Sequence, residues 1–300
     1  MPSIKDLKKR IGSVKNTQQT TKAMKMVSAA KLRRAQDAIQ NQRPYAQRIG
    51  ELIKLATSLQ VGDFHHPLMA RDEDTAAGEG KRVLLVLITS DRGLCGAFNA
   101  NVIKTTQRWM SANTSKYASI KLAFVGRRGY DFFKGRSVEK GTNFGEIGAK
   151  VTFAKAKSIA DALVKHYVDG EFDEIKIVYN QFKNAVTQEV VVENFLPLVP
   201  ATVEQENATA PEMQPMYILR PEPAKLLEQL IERNFGIQAF RFLLESQAGE
   251  HGARMSAMEN ATKNAGEMIR KLTLQYNKQR QAGITKELLE IIAGSESQKG

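Results

Sequence analysis

Residues 255–276 read MSAMENATKNAGEMIRKLTLQY, and in them Met255, Met258, Thr262, Ala265, Ile269, Leu272 and Tyr276 recur at alternating intervals of three and four. That spacing is a coiled-coil seam: one narrow face of a long helix, set to pack against a second helix. No proline follows Pro223, so the helix is expected to run from about residue 223 to 292. Gly236, Gly249, Gly252, Gly266 and Gly283 each lower its intrinsic stability by up to about 1 kcal/mol relative to alanine. A helix so interrupted needs a partner to stay formed.

The other end of the chain offers one. From Ile4 to about Leu59 the sequence reads as a single helix, with Ile4, Leu7, Ile11 and Val14 in step. Met24, Val27, Leu32, Ile39, Ile49, Leu52 and Leu59 continue the stripe with a drifting phase. Pro44 and Gly50 are its strong interruptions and mark the expected place for a kink or break. At 1.5 Å per residue the two helices would be roughly 84 and 105 Å long, whereas a compact chain of this size has a radius of gyration near ~19 Å. Neither fits inside such a globule, so the two are expected to pair antiparallel, as a rod carried on a globular foot.

Between them the pattern changes. Arg82–Thr89, Ile120–Val125, Glu174–Tyr179 and Glu189–Leu196 read as strands, and Asn101–Ala112 and Lys155–Val168 as helices. That alternation predicts a compact α/β domain with a mostly parallel sheet. The expected organisation is an N-terminal coiled-coil helix over 1–60, a central Rossmann-like α/β domain over 82–200 and a C-terminal coiled-coil helix over 217–294. Residues 61–81 read as a linker and Pro200–Pro215 as an exposed loop.

Charge is unevenly spread. The 300 residues carry a net charge of +12, and residues 1–48 hold ten of those charges, with twelve Lys/Arg against Asp6 and Asp37. A solvated helix face or an acidic partner explains such a run. A basic coiled-coil nucleic-acid-binding protein is the alternative from composition. In that class, however, the basic region adjoins its own parallel zipper, and here about 200 residues separate the two. The single cysteine, Cys95, excludes an internal disulfide and a Cys-based zinc cluster. The start MPSIK carries no apolar run of the secretory kind. Val83–Ile88, the longest apolar run, falls far short of a spanning helix.

The turn Thr89–Asn99 joins the first central strand to its helix, the place where α/β folds bind ligands. Its glycines match neither a phosphate loop nor a dinucleotide fingerprint, so a structural turn or a docking surface is expected. Cys95 beside a helix start could be an activated thiol, but no base accompanies it. His65, His66, His166 and His251 have no metal-ligand spacing. Arg127–Arg128 reads as a solvated turn. Met24, Met26, Met255 and Met258 read as core. Leu288, Leu289, Ile291 and Ile292, at the far end of the last helix, have nothing of their own chain to bury against, and this predicts a partner.

Three blocks resemble the gamma subunit family of F-type ATP synthases: IKDLKKRIGSVKNTQQTTKAMKMVSAAKLRRAQ, SDRGLCGAFNANV, and GEHGARMSAMENATKNAGEMI with NKQRQAGITKELLEIIAG. Their order and spacing extend the resemblance to essentially the whole chain. It implies a non-catalytic central-stalk rotor, without cofactor or metal, that couples proton flow to ATP synthesis. Its partners would be the alpha and beta subunits of the catalytic hexamer, the epsilon subunit and the c-subunit ring, with one copy per complex, no nucleic acid, and membrane contact only indirectly. Residue by residue it places Met24, Lys25, Glu250 and Arg254 against the moving beta domains and Arg280, Gln281 and Thr285 at the upper contact. Tyr217, Arg220 and Glu222 fall at the foot, on the c ring or epsilon, with Arg220 where the family commonly has an acid. The cysteine-bearing insertion of chloroplast members is absent. The family-like start at Met1 favours a bacterial origin, and hence the cytoplasmic face of the inner membrane.

Overall fold

The computed structural model describes residues 3–58, 66–69, 80–148, 150–184, 187–198 and 223–297. The foot residues Tyr217, Arg220 and Glu222, the stretch Pro200–Pro215 and most of 61–81 lie outside them. By contacts the chain divides into two compact units, Met1–Ala30 with Arg254–Gly300, and Lys31–Ala253. Two helices contribute to both: α1 (Ile4–Ser58) and α5 (Pro223–Ser297).

In the first unit α1 and α5 run antiparallel. Ile4 faces Gly283, Gln18 faces Gly266, Thr21 meets Thr262 and Lys25 meets Glu259, so position on one helix rises as the other falls. Leu7, Thr21, Ser28, Met258 and Ala265 are buried along the seam. Of the two seam glycines only Gly266 sits at a close approach; Gly283 is at ordinary van der Waals distance. A Cβ on Gly266 would come within 3.1 Å of the Gln18 amide nitrogen, and one on Gly283 within 3.7 Å of Ile4 Cδ1.

The expected apolar stripe of α1 holds at Leu7, Ile11, Val14, Leu32, Ile39 and Ile49, but polar residues share the seam with it. Positions 7, 11, 14, 18, 21, 25, 28, 32, 35, 39, 42, 46 and 49 are its sheltered face, in strict alternation of four and three. Val27, Leu52 and Met26 lie outside it and are exposed, Met26 by 67%. Gln18, Thr21 and Gln42 stand in the seam with hydrogen bonds to α5: Gln18 donates to Thr262 O at 3.5 Å, the Thr262 hydroxyl lies 2.8 Å from that of Thr21, and Gln42 donates to Ile237 O at 3.2 Å. The expected break also gives way, since α1 is assigned without interruption through Pro44. Pro44 and Gln40, whose carbonyl loses its intrahelical donor there, are both exposed, so water can satisfy that carbonyl.

The second unit is built on a five-stranded sheet of order β3-β2-β1-β4-β5. Its strands are β1 (Lys81–Ile88), β2 (Tyr117–Val125), β3 (Lys140–Asn143), β4 (Glu174–Phe182) and β5 (Gln188–Leu196). The first four are parallel and β5 pairs antiparallel with β4. Helices α2 (Phe98–Asn113), α3 (Arg127–Phe133) and α4 (Phe153–Val168) connect the strands. β1 is central, and Val83–Ile88 is buried throughout, as a strand covered on both faces requires. Leu85, Leu87, Leu122, Phe124 and Val178 pack with Val102 and Ile103 of α2 and Phe133 of α3. On the opposite face Tyr179 and Phe195 meet Phe242 and Phe235 of α5 at centroid distances of 4.8 and 5.2 Å.

The predicted strands and helices are found within a few residues of their expected bounds; α3 and β3 were not foreseen. α3 is seven residues with an internal glycine, and β3 is the polar tetrapeptide KGTN on an exposed edge, so neither leaves a periodic signal. Gly126, which ends β2, has φ +87° and brings its backbone so close to Thr89 that a Cβ would lie 2.0 Å from Thr89 O. Gly126→Ala is expected to destabilise this unit by about 3 kcal/mol or more, through left-handed strain and a backbone collision that no rotamer relieves. Denaturant unfolding of the full chain, followed by Trp109 fluorescence, measures it.

Candidate partner-binding surfaces

The Thr89–Asn99 turn spends its polar groups on itself and on the neighbouring loops. Ser90 is fully buried; its hydroxyl donates to Arg92 O at 2.6 Å and accepts from Asn99 Nδ2 at 2.8 Å. Its N–H donates to Asn99 Oδ1 at 2.9 Å. The Asp91 carboxylate accepts the backbone N–H groups of Ile147 and Gly148 at 3.1 and 2.8 Å. Cys95 is buried, with Asn99 Nδ2 at 3.2 Å and Ser90 Oγ at 3.7 Å as neighbours. No histidine or carboxylate is in hydrogen-bond contact with the thiol among the described residues, so nothing there would activate it. Leu94 instead projects outward, 64% exposed at φ +63°.

Arg127 and Arg128, expected in a solvated turn, open α3. The Arg128 N–H donates to Ser90 O at 3.1 Å, which ties the helix start to the turn, and Arg127 pairs with Asp131 at 3.4 Å.

The strand order changes direction between β1 and β4, where a doubly wound fold has its ligand crevice. Here α5 closes it. A Cβ on Gly249 would lie 3.3 Å from Phe98 of α2, 3.5 Å from Asn180 of β4 and 3.7 Å from Gln188 of β5. The glycine counted in the sequence as a weak point of the helix is what lets α5 seat at the ends of these strands.

The expected contact residues separate by unit. Met24, Lys25 and Arg254 belong to the first, each half-buried, and Glu250 to the second, also half-buried. Lys25 is held by Glu259 at 2.7 Å, with side chains 35% and 57% exposed. Sequence reasoning missed Glu259 because only the antiparallel register brings it to Lys25. Arg280 and Gln281 are exposed, and the Thr285 hydroxyl is turned onto Gln281 O at 3.0 Å. Beyond them Leu288, Leu289, Ile291 and Ile292 are 54%, 61%, 67% and 56% exposed. Four large side chains at the end of one helix, each more than half in solvent, form a surface to be covered from outside. Of the four methionines read as core, Met24 and Met255 are half-buried and Met258 is buried, but Met26 is exposed. Among the described residues no cluster of His, Cys, Asp or Glu could hold a metal ion. No described helix is long and apolar enough to cross a membrane.

Lys25→Glu is expected to weaken the helix pairing by only about 0.2–1 kcal/mol, because the pair is partly exposed and screened; adding Glu259→Lys should restore most of it in a double-mutant thermal-unfolding cycle. Gly249→Leu should cost about 1–3 kcal/mol or more in denaturant unfolding, since the added side chain meets Phe98 and the strand ends.

A family model described as ATP synthase matches residues 3–297. Among curated proteins, the chain is 46% identical to the ATP synthase gamma chain of Bdellovibrio bacteriovorus over 302 residues, and 46% identical to that of Geotalea uraniireducens over 301. Both alignments cover 100% of each chain. Among solved structures, a chain of the Euglena gracilis mitochondrial ATP synthase OSCP/F1/c-ring assembly matches with a TM-score of 0.63 at 20% identity, over 98% of this chain and 94% of that one. A chain of the rotor of the same enzyme matches with a TM-score of 0.60 at 20% identity, over 94% and 98%. These structures share the fold, two terminal helices with a central mixed sheet. The nucleic-acid alternative finds no support in any of them, and the helices here pair antiparallel within one chain. The chain belongs to the ATP synthase gamma chain family.

Proposed function

We propose that this chain is the central-stalk rotor of an F-type ATP synthase, the shaft through which proton flow across a membrane drives ATP synthesis in an alpha/beta head. The observation that carries the reading is the exposed apolar tip Leu288–Ile292 at the end of a helix whose preceding turns are paired. Full-length similarity to gamma chains says what kind of assembly would cover it.

The shaft does no chemistry in this reading. It acts by presenting a different face to each of three catalytic sites, and a site's conformational equilibrium moves only by the difference in contact energy between its states. Met24, Lys25, Glu250 and Arg254 would meet the moving beta domains, and Arg280, Gln281 and Thr285 the upper part of the head. Tyr217, Arg220 and Glu222 would meet the c-subunit ring or epsilon. The basic N-terminal half of α1 would face acidic groups of its partners. The chain would reach the membrane only through these proteins, on the cytoplasmic face of a bacterial inner membrane.

Reconstitution tests this. Co-expressed with alpha and beta subunits, the chain should purify at one copy per hexamer and sustain ATP hydrolysis, while the chain alone should hydrolyse none. Deleting residues 276–300 should lower the sustained rate roughly tenfold, a loss of about 1.4 kcal/mol in the coupled step. A chain that does not copurify, or that hydrolyses nucleotide by itself, would overturn the reading.

A further inference from the structure

Arg241, Glu245 and Gly249 stand at one-turn intervals on α5 and lay a single line of that helix across β4 and β5. Arg241 binds the Glu193 carboxylate of β5, which also accepts the Tyr179 hydroxyl of β4 at 2.9 Å. The Arg241 guanidinium rests 4.7 Å over the Phe242 ring. Glu245 lies within the influence of the Phe182 N–H, which favours its charged form, while its Oε2 is buried without a hydrogen-bond partner. Asn180 Nδ2, on β4 opposite Gly249, is likewise buried and unpartnered. The helix is therefore fastened to the sheet through two carboxylates and one guanidinium, and one negative charge is left over.

We infer that Glu193, Arg241 and Glu245 form a proton-responsive clasp, which holds α5 on the β4–β5 edge most tightly when Glu245 is neutral and loosens when it is charged. The ionisable groups facing Glu245 are few. α5 supplies Arg241, β5 supplies Glu193, β4 supplies Tyr179, and α1 supplies Arg43, which acts on it only through its field. Arg241 is committed to Glu193. A second carboxylate in the same half-buried place keeps its charge against desolvation and against Glu193 together.

The direction of the pH dependence follows. Burial above all, with Glu193, raises the proton affinity of Glu245 above that of an ordinary glutamate, although Arg241, the Phe182 N–H and Arg43 oppose it. Burial works against the Arg241 charge, but Glu193, Tyr179 and Glu245 outweigh it and keep the guanidinium charged. The closed clasp thus holds a proton that an opened one releases. Its full strength is present below the ordinary glutamate range and is lost as pH rises through the higher, closed-state value.

Hydrogen exchange on the full chain tests the clasp, read on backbone amides of residues 237–250 from mildly acidic to mildly alkaline pH and corrected for intrinsic exchange. Protection in the wild type should fall with rising pH, by about tenfold for each unit by which the closed-state proton affinity is raised. Glu245→Gln should keep the acid-side protection throughout, with no slope. Wild-type protection that does not vary with pH, or a slope that survives in Glu245→Gln, would overturn the inference. Should Glu245→Gln fail to fold, Arg43→Gln decides, because losing that exposed cation must move the wild-type midpoint to higher pH. A midpoint that stays in place would count against the clasp as decisively.

Discussion

A helix of 75 residues with six internal glycines is stable only where something covers it, and this requirement organises the chain. In one unit α5 is covered by the antiparallel N-terminal part of α1 through a seam that mixes apolar residues such as Leu7 and Met258 with small and polar ones. In the other it lies on the sheet, with Phe235 and Phe242 against Phe195 and Tyr179. Where cover is close, glycine makes room, at Gly249 and Gly266. Where cover stops, at Leu288–Ile292, the apolar surface is left for another protein.

How much of this could be read from the residues depended on whether the signal was periodic and local. The seam of α5 was legible because Met255–Tyr276 alternates without a gap. The seam of α1 was legible in part: Leu7, Ile11, Val14, Leu32, Ile39 and Ile49 lie on it as read, but Gln18, Thr21, Ser28 and Gln42 share it and the large residues Val27 and Leu52 do not. Polar residues are sheltered there by bonds to a helix more than 190 residues away in sequence, which no local window contains. β1 announced itself by six buried apolar residues in succession, while β3, an edge strand with little to bury, did not.

The candidate contact residues divide in the same way. Resemblance located Lys25 but not Glu259, since a pair across two antiparallel helices follows from register. The exposure of Leu94 was hidden too, because a positive φ at a leucine between two glycines is set by the surrounding turn rather than by the residue. Arg127 and Arg128 looked like a loop because a seven-residue helix is shorter than two periods of its own pattern.

The Asp91 side chain sits over the N–H groups of Ile147 and Gly148, beside glycines at φ +72° and +85°. A concave run of backbone N–H groups is what nucleotide-binding proteins of this topology offer to phosphate. Here the anion is supplied by the chain and cannot diffuse away, and the neighbouring crevice is plugged by Gly249 of the chain's own helix. The architecture of a domain that elsewhere opens and closes around a ligand is in this way permanently occupied. It has exchanged a cycle of binding and release for constancy of shape, the property a body needs if it is to be turned by force without yielding.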